Sequence, residues 1–237
     1  MEFFDMHTHI LPGIDDGSET VQNSVLMLKC LKKQGVTNVC FTPHMYSQEI
    51  SADDFLRLRQ SAFDKLKPHL PDGMEFCLGA EVFVTDYLFV NDNLNRLCYG
   101  GKRYMLTEFP YKSQFQGRSN RQLCKLINDY SITPVIPHIE RYPALMKSYE
   151  LRQELREMGV LFQTNTISFE KIPARLKLGK LIKNGEIDLF GTDAHSFAHN
   201  TPESYMKTIE LLNKKHMQKD IEEMQEVASK IFVPVEL

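Results

Sequence analysis

The residues best suited to chemistry stand near the start of the sequence, in Asp5-Met6-His7-Thr8-His9 and the turn Leu11-Pro12-Gly13-Ile14-Asp15-Asp16-Gly17 that follows. On a strand, alternate side chains share a face, so His7 and His9 point the same way. Two imidazoles converging at a strand end can hold a divalent cation at about 2.0–2.1 Å. A pair this short also arises by chance, so its weight depends on what the other elements deliver beside it.

Short apolar runs alternate with amphipathic stretches along the whole sequence. Strands are predicted at 2–9, 36–42, 74–78 running on to Glu81, 103–109, 133–137, 160–164 and 187–191. Helices are predicted from a Ser18 cap to Gly35, from Asp53 or Asp54 to Pro68, at 86–97, 119–130, 143–158 and 172–183, from Thr201 with Pro202 at its first position, and at 220–231. Seven strands interleaved with helices, without a glycine-rich phosphate loop, predict an α/β domain with a parallel sheet. With no internal repeat, low-complexity tract or linker, residues 1–237 read as a single domain. The amphipathic segments at 202–215 and 220–231 are expected to cover the core, a subunit interface being the alternative.

Each predicted strand delivers a polar residue at its C-terminal end, where βα-barrels build their sites. The first gives His7 and His9 with Asp16 in its loop, the second His44, the third Glu81, the fourth Glu108, the fifth His138, the sixth Gln163 and Asn165, and the seventh Asp193 and His195. Five of the eight histidines fall at these ends, with His69, His199 and His216 elsewhere, which histidines scattered for solubility would not do. His7, His9, Asp16, His44, Glu81, Glu108, His138, Asp193 and His195 make nine candidate ligands, where one structural zinc takes about four, so they suit two metals or three. Imidazole and carboxylate without thiolate suit manganese, iron or zinc alike, and Glu81 is the candidate for a bridging carboxylate. Such a cluster makes hydroxide near neutral pH and screens anionic oxygens, which predicts hydrolysis of a phosphate ester.

Composition narrows the field. A net charge of −3 without a basic stripe argues against nucleic acid as a partner. No apolar run approaches the ~20 residues of a membrane span, and no basic, apolar leader precedes His7. The five cysteines (Cys30, Cys40, Cys77, Cys98, Cys124) are odd in number and scattered, which predicts a reducing, cytoplasmic setting. None is followed six positions later by the arginine of a phosphate-cradling thiol loop; Val36, Tyr46, Phe83, Tyr104 and Tyr130 stand there.

Taken together, His7-Thr8-His9, the 11–17 turn, Thr42-Pro43-His44, Glu81, Glu108-Phe109, His138-Ile139-Glu140-Arg141-Tyr142 and Asp193-Ala194-His195 resemble the PHP superfamily (polymerase and histidinol phosphatase). The opening motif is most similar to its bacterial protein-tyrosine phosphatase branch, the CpsB/YwqE-like enzymes of capsule and exopolysaccharide loci. The resemblance implies a distorted, seven-stranded βα (TIM-like) barrel. It also implies that the nine residues bind three divalent ions, manganese being expected and iron or zinc the alternatives. The implied grouping is His7, His9, Glu81 and Asp193; Glu81, Glu108 and His138; and Asp16, His44 and His195. Arg141 would hold phosphate with its planar fork, and the substrate would be the phosphotyrosine tail of a bacterial tyrosine kinase. Asp5 is expected to orient an imidazole, Asp15 to serve the turn, and His195 or Glu140 to assist the leaving group. One departure stands out: the branch usually carries an arginine five residues after the final histidine, and here that residue is Asn200, with Lys112, Arg118 or His199 as possible substitutes. Alternatives are a small-molecule phosphoesterase of the histidinol-phosphate or nucleotide type, an amidohydrolase (which generally wants a lysine where this chain offers Glu108), or a scaffold without turnover.

Overall fold

The computed structural model describes residues 1–236. Among these residues nine strands occur: β1 (Phe3–Thr8), β2 (Val36–Phe41), β3 (His44–Tyr46), β4 (Glu75–Leu78), β5 (Glu81–Phe83), β6 (Tyr104–Glu108), β7 (Thr133–Ile136), β8 (Leu161–Asn165) and β9 (Leu189–Gly191). They form two curled, wholly parallel sheets, ordered β1-β2-β4 and β3-β5-β6-β7-β8-β9. Nine segments replace the expected seven because two runs break. Only Thr42-Pro43 separates β2 from β3, and only Gly79-Ala80 separates β4 from β5. Pro43 lacks the N–H a ladder needs, yet pairing continues across both breaks through Gly79 N–H to Phe41 O (2.9 Å) and Glu81 N–H to Pro43 O (3.0 Å). At the other side the chain beyond β9 returns to β1, with Asp193 N–H donating to His7 O (2.7 Å) and His9 N–H to Ala194 O (3.0 Å).

Helices α1 (Val21–Lys33), α2 (Ala52–Leu66), α3 (Arg118–Tyr130), α4 (Pro143–Lys147), α5 (Tyr149–Glu157), α6 (Ile172–Lys183), α7 (Ser204–Asn213) and α8 (Gln218–Ile231) pack around the strands. Several boundaries differ from expectation for local reasons. Thr20, not Ser18, caps α1, accepting from Asn23 N–H; Ser51 caps α2, accepting from Asp54 N–H. The 143–158 stretch is two helices, because Ser148 takes an extended conformation and caps α5. Residues 86–97 form two short 3-10 turns around Asn93, and Pro202 lies in the turn before α7 rather than inside it.

The helices bury their apolar faces in one large cluster running from Ile10 to Met224. A smaller cluster gathers Phe4, Met6, Cys40, Cys77, Leu106, Val135 and Leu189 from six strands, and Ala228, Ile231 and Phe232 at the end of α8 close it. Tyr205 of α7 donates to Phe4 O (2.7 Å) while Gln225 of α8 accepts from Phe4 N–H (2.9 Å). Both C-terminal helices therefore cover the core and clamp β1, the strand carrying the paired histidines.

A buried ion pair fastens the α4–α5 break to the chain after α6. Arg152 Nε donates to Glu186 Oε2 at 2.6 Å, and its Nη1 reaches the carbonyls of Leu145 and Ser148. Arg152→Met should cost about 3–5 kcal/mol, because Glu186 is left charged and buried without its partner. Urea unfolding checks this, and pairing the change with Glu186→Leu should recover much of the loss; equal stability of Arg152→Met and wild type would refute the role.

Candidate metal centre

The candidate ligands sit near strand ends or in the loops beyond them, His44 and Glu81 opening β3 and β5 after the two breaks, and the folded sheets bring all nine into one connected cluster. His7 Nε2 and His9 Nε2 stand 3.1 Å apart. Glu81 Oε2 lies 3.2 Å from each, and Asp193 Oδ1 lies 3.4 and 3.3 Å from them. His44 Nδ1 is 3.1 Å from Glu81 Oε2, and His138 Nε2 is 2.9 Å from Glu81 Oε1 and 3.6 Å from Glu108. Asp16 Oδ1 closes the outer end, 3.6 Å from His44 Nε2 and 3.4 Å from His195 Nε2. Three groups have candidate ligand atoms all within 4.8 Å of one another: His7, His9, Glu81 and Asp193; His9, Asp16, His44 and His195; and His44, Glu81 and Glu108. Glu81, His9 and His44 are each shared by two groups.

These spacings can be compared with coordination geometry. Ligands about 2.1 Å from one cation stand roughly 3.0–3.4 Å apart in octahedral or tetrahedral arrangements. The contacts around His7, His9, Glu81 and Asp193 fall at that separation. Glu81 Oε2, His44 Nδ1 and His138 Nδ1 are buried without a hydrogen-bond partner among the described residues, a condition rare in folded proteins unless something else satisfies the atom. The donor set and its orphaned atoms fit divalent cations.

The carboxylates and imidazoles of the cluster set one another's protonation. Burial pushes the Glu81 carboxyl up, but His7, His138 and His9 together hold it well below the usual carboxylate range. Burial likewise opposes the ionisation of Asp193, and His7 and His9 overcome it. Burial drives His7 and His9 down, while Glu81 and Asp193 (for His7) and Asp15 (for His9) lift both above the ordinary imidazole value. Burial and then His9 lower His44 and His195, keeping them as neutral imidazoles able to ligate. Glu108 is pushed up to about 7, by burial first and Glu81 second. A cation entering here would displace protons.

The supporting residues differ from expectation. Asp5 touches no imidazole; it accepts from Thr192 N–H (2.8 Å) and Thr192 Oγ1 (2.6 Å) and more weakly from His7 N–H, so it ties β9's end to the backbone of β1. Asp15 does more than serve the turn: His9 Nδ1–H donates to its Oδ2 at 2.7 Å, and His44 N–H donates to the same oxygen at 3.0 Å. That bond fixes the His9 ring with Nε2 facing the cluster. Gln163 does the same for His7, accepting from Nδ1 (3.2 Å) and also from His138 N–H (2.8 Å). The signal for Asp15 lay in the doubled aspartate of the turn; for Gln163 it lay in the Gln163-Thr164-Asn165 strand end, which polar core packing explained equally well.

Arg141 pairs with neither Glu140 nor Glu150. Its Nη2 donates to Asp193 Oδ2 (2.8 Å) and its Nη1 to Tyr111 Oη (3.1 Å), with the side chain one-third exposed at the mouth. Asn165 (2.8 Å) and Asn200 (2.9 Å) donate to the same Asp193 oxygen. Asn200 thus buttresses a candidate ligand where the resembled branch has a cation. Arg118 pairs with Asp86 and does not replace that cation; His199 packs edge-on against His195 at 5.6 Å. Glu140 is committed to Thr164, Asn165 N–H and Ser168, which removes it as a proton donor to a leaving group. His138, Asp193 and Asn200 all hold positive φ (34°, 54° and 44°), left-handed backbone that non-glycine residues keep only where surrounding contacts enforce it.

Comparison with known proteins adds relatives to this geometry. The family model for capsular polysaccharide synthesis proteins, CpsB/CapC, matches residues 3–232. The tyrosine-protein phosphatase CpsB of Streptococcus pneumoniae is 32% identical over 178 residues, covering 70% of this chain and 69% of the relative. The tyrosine-protein phosphatase YwqE of Bacillus subtilis is 26% identical over 198 residues, covering 81% and 77%. A crystal structure from work on YwqE and CpsB, described there as metal-dependent tyrosine phosphatases, superposes with a TM-score of 0.78 at 20% identity over 99% of this chain and all of that one. The Escherichia coli phosphotriesterase homology protein superposes at 0.61 with 13% identity over 98% of each chain. At these identities the structural likenesses speak for the fold.

Proposed function

The chain belongs to the CpsB/CapC family of capsular polysaccharide synthesis, and from that premise we propose that it is a metal-dependent phosphomonoester hydrolase acting on phosphotyrosine in a protein partner. The observation that carries the reading is the single cluster in which Glu81 stands within 3.2 Å of three imidazoles from distant parts of the chain, His7 on β1, His44 on β3 and His138 just beyond β7. We assign His7, His9, Asp16, His44, Glu81, Glu108, His138, Asp193 and His195 to three divalent ions, manganese by preference. The nine strand segments then count as seven positions of one distorted barrel, and the large core running from Ile10 to Met224 supports one domain. Among the described residues no helix is long and apolar enough to cross a membrane, and unpaired cysteines suit a reducing cytoplasm. The partner class we favour is the tyrosine-rich tail of a capsule-regulating kinase.

When bound, such ions supply hydroxide near neutral pH and screen the phosphoryl oxygens. The chain's own residues do the rest. Asp15 and Gln163 hold the His9 and His7 rings so that their Nε2 atoms face inward. Arg141, steadied by Tyr111 Oη and by Asp193, presents its remaining guanidinium edge to a phosphoryl oxygen. The Tyr111 ring, 44% exposed at the mouth, offers a face for the substrate's aryl ring. A tyrosyl leaving group, with a pKa of about 10, departs more readily than an alkoxide and places little demand on a general acid. His195 donates Nδ1–H to Asp193 O (2.7 Å) and turns Nε2 to Asp16, so we give it a ligand's role before a proton donor's.

Manganese-loaded protein should hydrolyse p-nitrophenyl phosphate and phosphotyrosine peptides, and lose both activities to a chelator. It should act on the peptides at least ten times faster than on histidinol phosphate or nucleotides. A preference for the small esters would favour a small-molecule phosphoesterase. A fully loaded sample inert toward every phosphomonoester would leave the scaffold reading.

A further inference from the structure

A groove of about 570 Å³ runs beside the cluster and opens onto it through Asp16 and His44. Apart from Asp15, Asp16 and His44 at its inner end, hydrolysis as derived above makes no use of it. Its floor is apolar, built from Ile14, Tyr46, Ile50 and Leu58, and Leu58 is 53% exposed although it is a large aliphatic side chain. Its rim is acidic, carrying Asp16 and Glu49, and neither lysine nor arginine lines it. Asp16 faces His44 and His195, whereas Glu49 is exposed and, among the described residues, has no basic nitrogen within 4.0 Å of its carboxylate. The cation at the mouth, Arg141, is bonded to Tyr111 and Asp193, neither of which lines the groove. The site therefore has a phosphate-binding flank and a separate flank that is apolar below and negative above.

Resting on the phosphotyrosine reading, we propose that this groove is a subsite for a lysine or arginine lying within a few residues of the phosphotyrosine in a protein substrate, and that Glu49 selects it. A long basic side chain satisfies both surfaces at once, laying its methylene stem on Tyr46, Ile50 and Leu58 and bringing its charged end to Glu49. An acidic neighbour meets like charge from Glu49. An uncharged aromatic covers the floor but strips water from the Glu49 carboxylate without replacing it. Because the pair forms at an exposed rim, its effect is modest and falls with added salt.

The test uses one phosphotyrosine peptide scaffold with lysine, glutamate or phenylalanine placed in turn at each of the three positions on either side of the phosphotyrosine. The readout is the ratio of kcat/KM values between peptides within one protein preparation, so that metal loading and folding cancel. At one flanking position the wild-type protein should prefer lysine over glutamate by about 3- to 10-fold, the scale of an exposed ion pair gained and a repulsion avoided, and Glu49→Lys should reverse that preference. Equal turnover of all peptides, a ratio untouched by Glu49→Lys, or a preference for phenylalanine over lysine overturns the subsite alone. Turnover of p-nitrophenyl phosphate with no turnover of any phosphopeptide overturns the phosphotyrosine reading together with the subsite.

Discussion

Replacing Glu81 with glutamine should abolish turnover while leaving the fold in place. The substitution keeps the side chain's shape but removes the negative charge that His7, His9, His44 and His138 all face at 2.9–3.2 Å. Its two oxygens face different imidazoles, Oε1 toward His138 and Oε2 toward His7 and His44. Losing a residue that merely orients a ligand costs roughly 10–100-fold in metal affinity, and losing a shared carboxylate should cost more than that. Loss of an ion that generates the nucleophile should lower kcat by at least about a thousandfold. Elemental analysis and phosphotyrosine peptide hydrolysis read the two effects, and circular dichroism guards against misfolding. A Glu81→Gln protein with full metal content and wild-type kcat would remove the centre from the mechanism.

Gly191→Ala should damage both stability and activity, although the residue carries no functional group. An added Cβ would lie 2.5 Å from His7 Cβ, 2.8 Å from Gln163 Nε2 and 3.1 Å from His7 N. Two of those three contacts are to backbone or to the root of a side chain, so relief requires moving β9 away from β1. Overpacking of this kind costs about 1–3 kcal/mol. Displacing His7 by even about 1 Å is enough for a hundredfold loss in rate. Gly179, inside α6 with nothing within 4 Å of an added Cβ, is the control. Gly179→Ala should stabilise by about 0.5–1 kcal/mol and leave kcat alone. Equal behaviour of the two variants in urea unfolding and in steady-state kinetics would refute the close approach of β9 to His7.

The α/β character and the gathering of imidazoles and carboxylates near strand ends were legible because each depends on a short stretch. Period-two apolar runs marked the strands, and a histidine or carboxylate followed six of the seven runs where the chain leaves the sheet, the sixth offering Gln163 and Asn165 instead. Where expectation slipped, competing local chemistry decided the outcome. Thr20 took the cap from Ser18, which instead bonds Ser24. Ser148 accepted a backbone N–H and divided a helix whose apolar stripe continues through it. Pro43 interrupted one strand without changing its direction.

Residue types and their order were enough to specify that imidazoles and carboxylates would be delivered to the same end of a parallel sheet, and that cation-assisted ester hydrolysis was the chemistry available to them. Which oxygen meets which nitrogen was decided by closure of the sheets. Gln163 reaches His7 across 156 positions, Asn165, Arg141 and Asn200 converge on one oxygen of Asp193, and Asp15 turns back to His9. The physical reason is range. Caps, turns and apolar periodicity act over three or four residues and leave a trace in the local pattern, whereas a hydrogen bond between distant side chains exists only once the curled strands have brought their ends within about 3 Å.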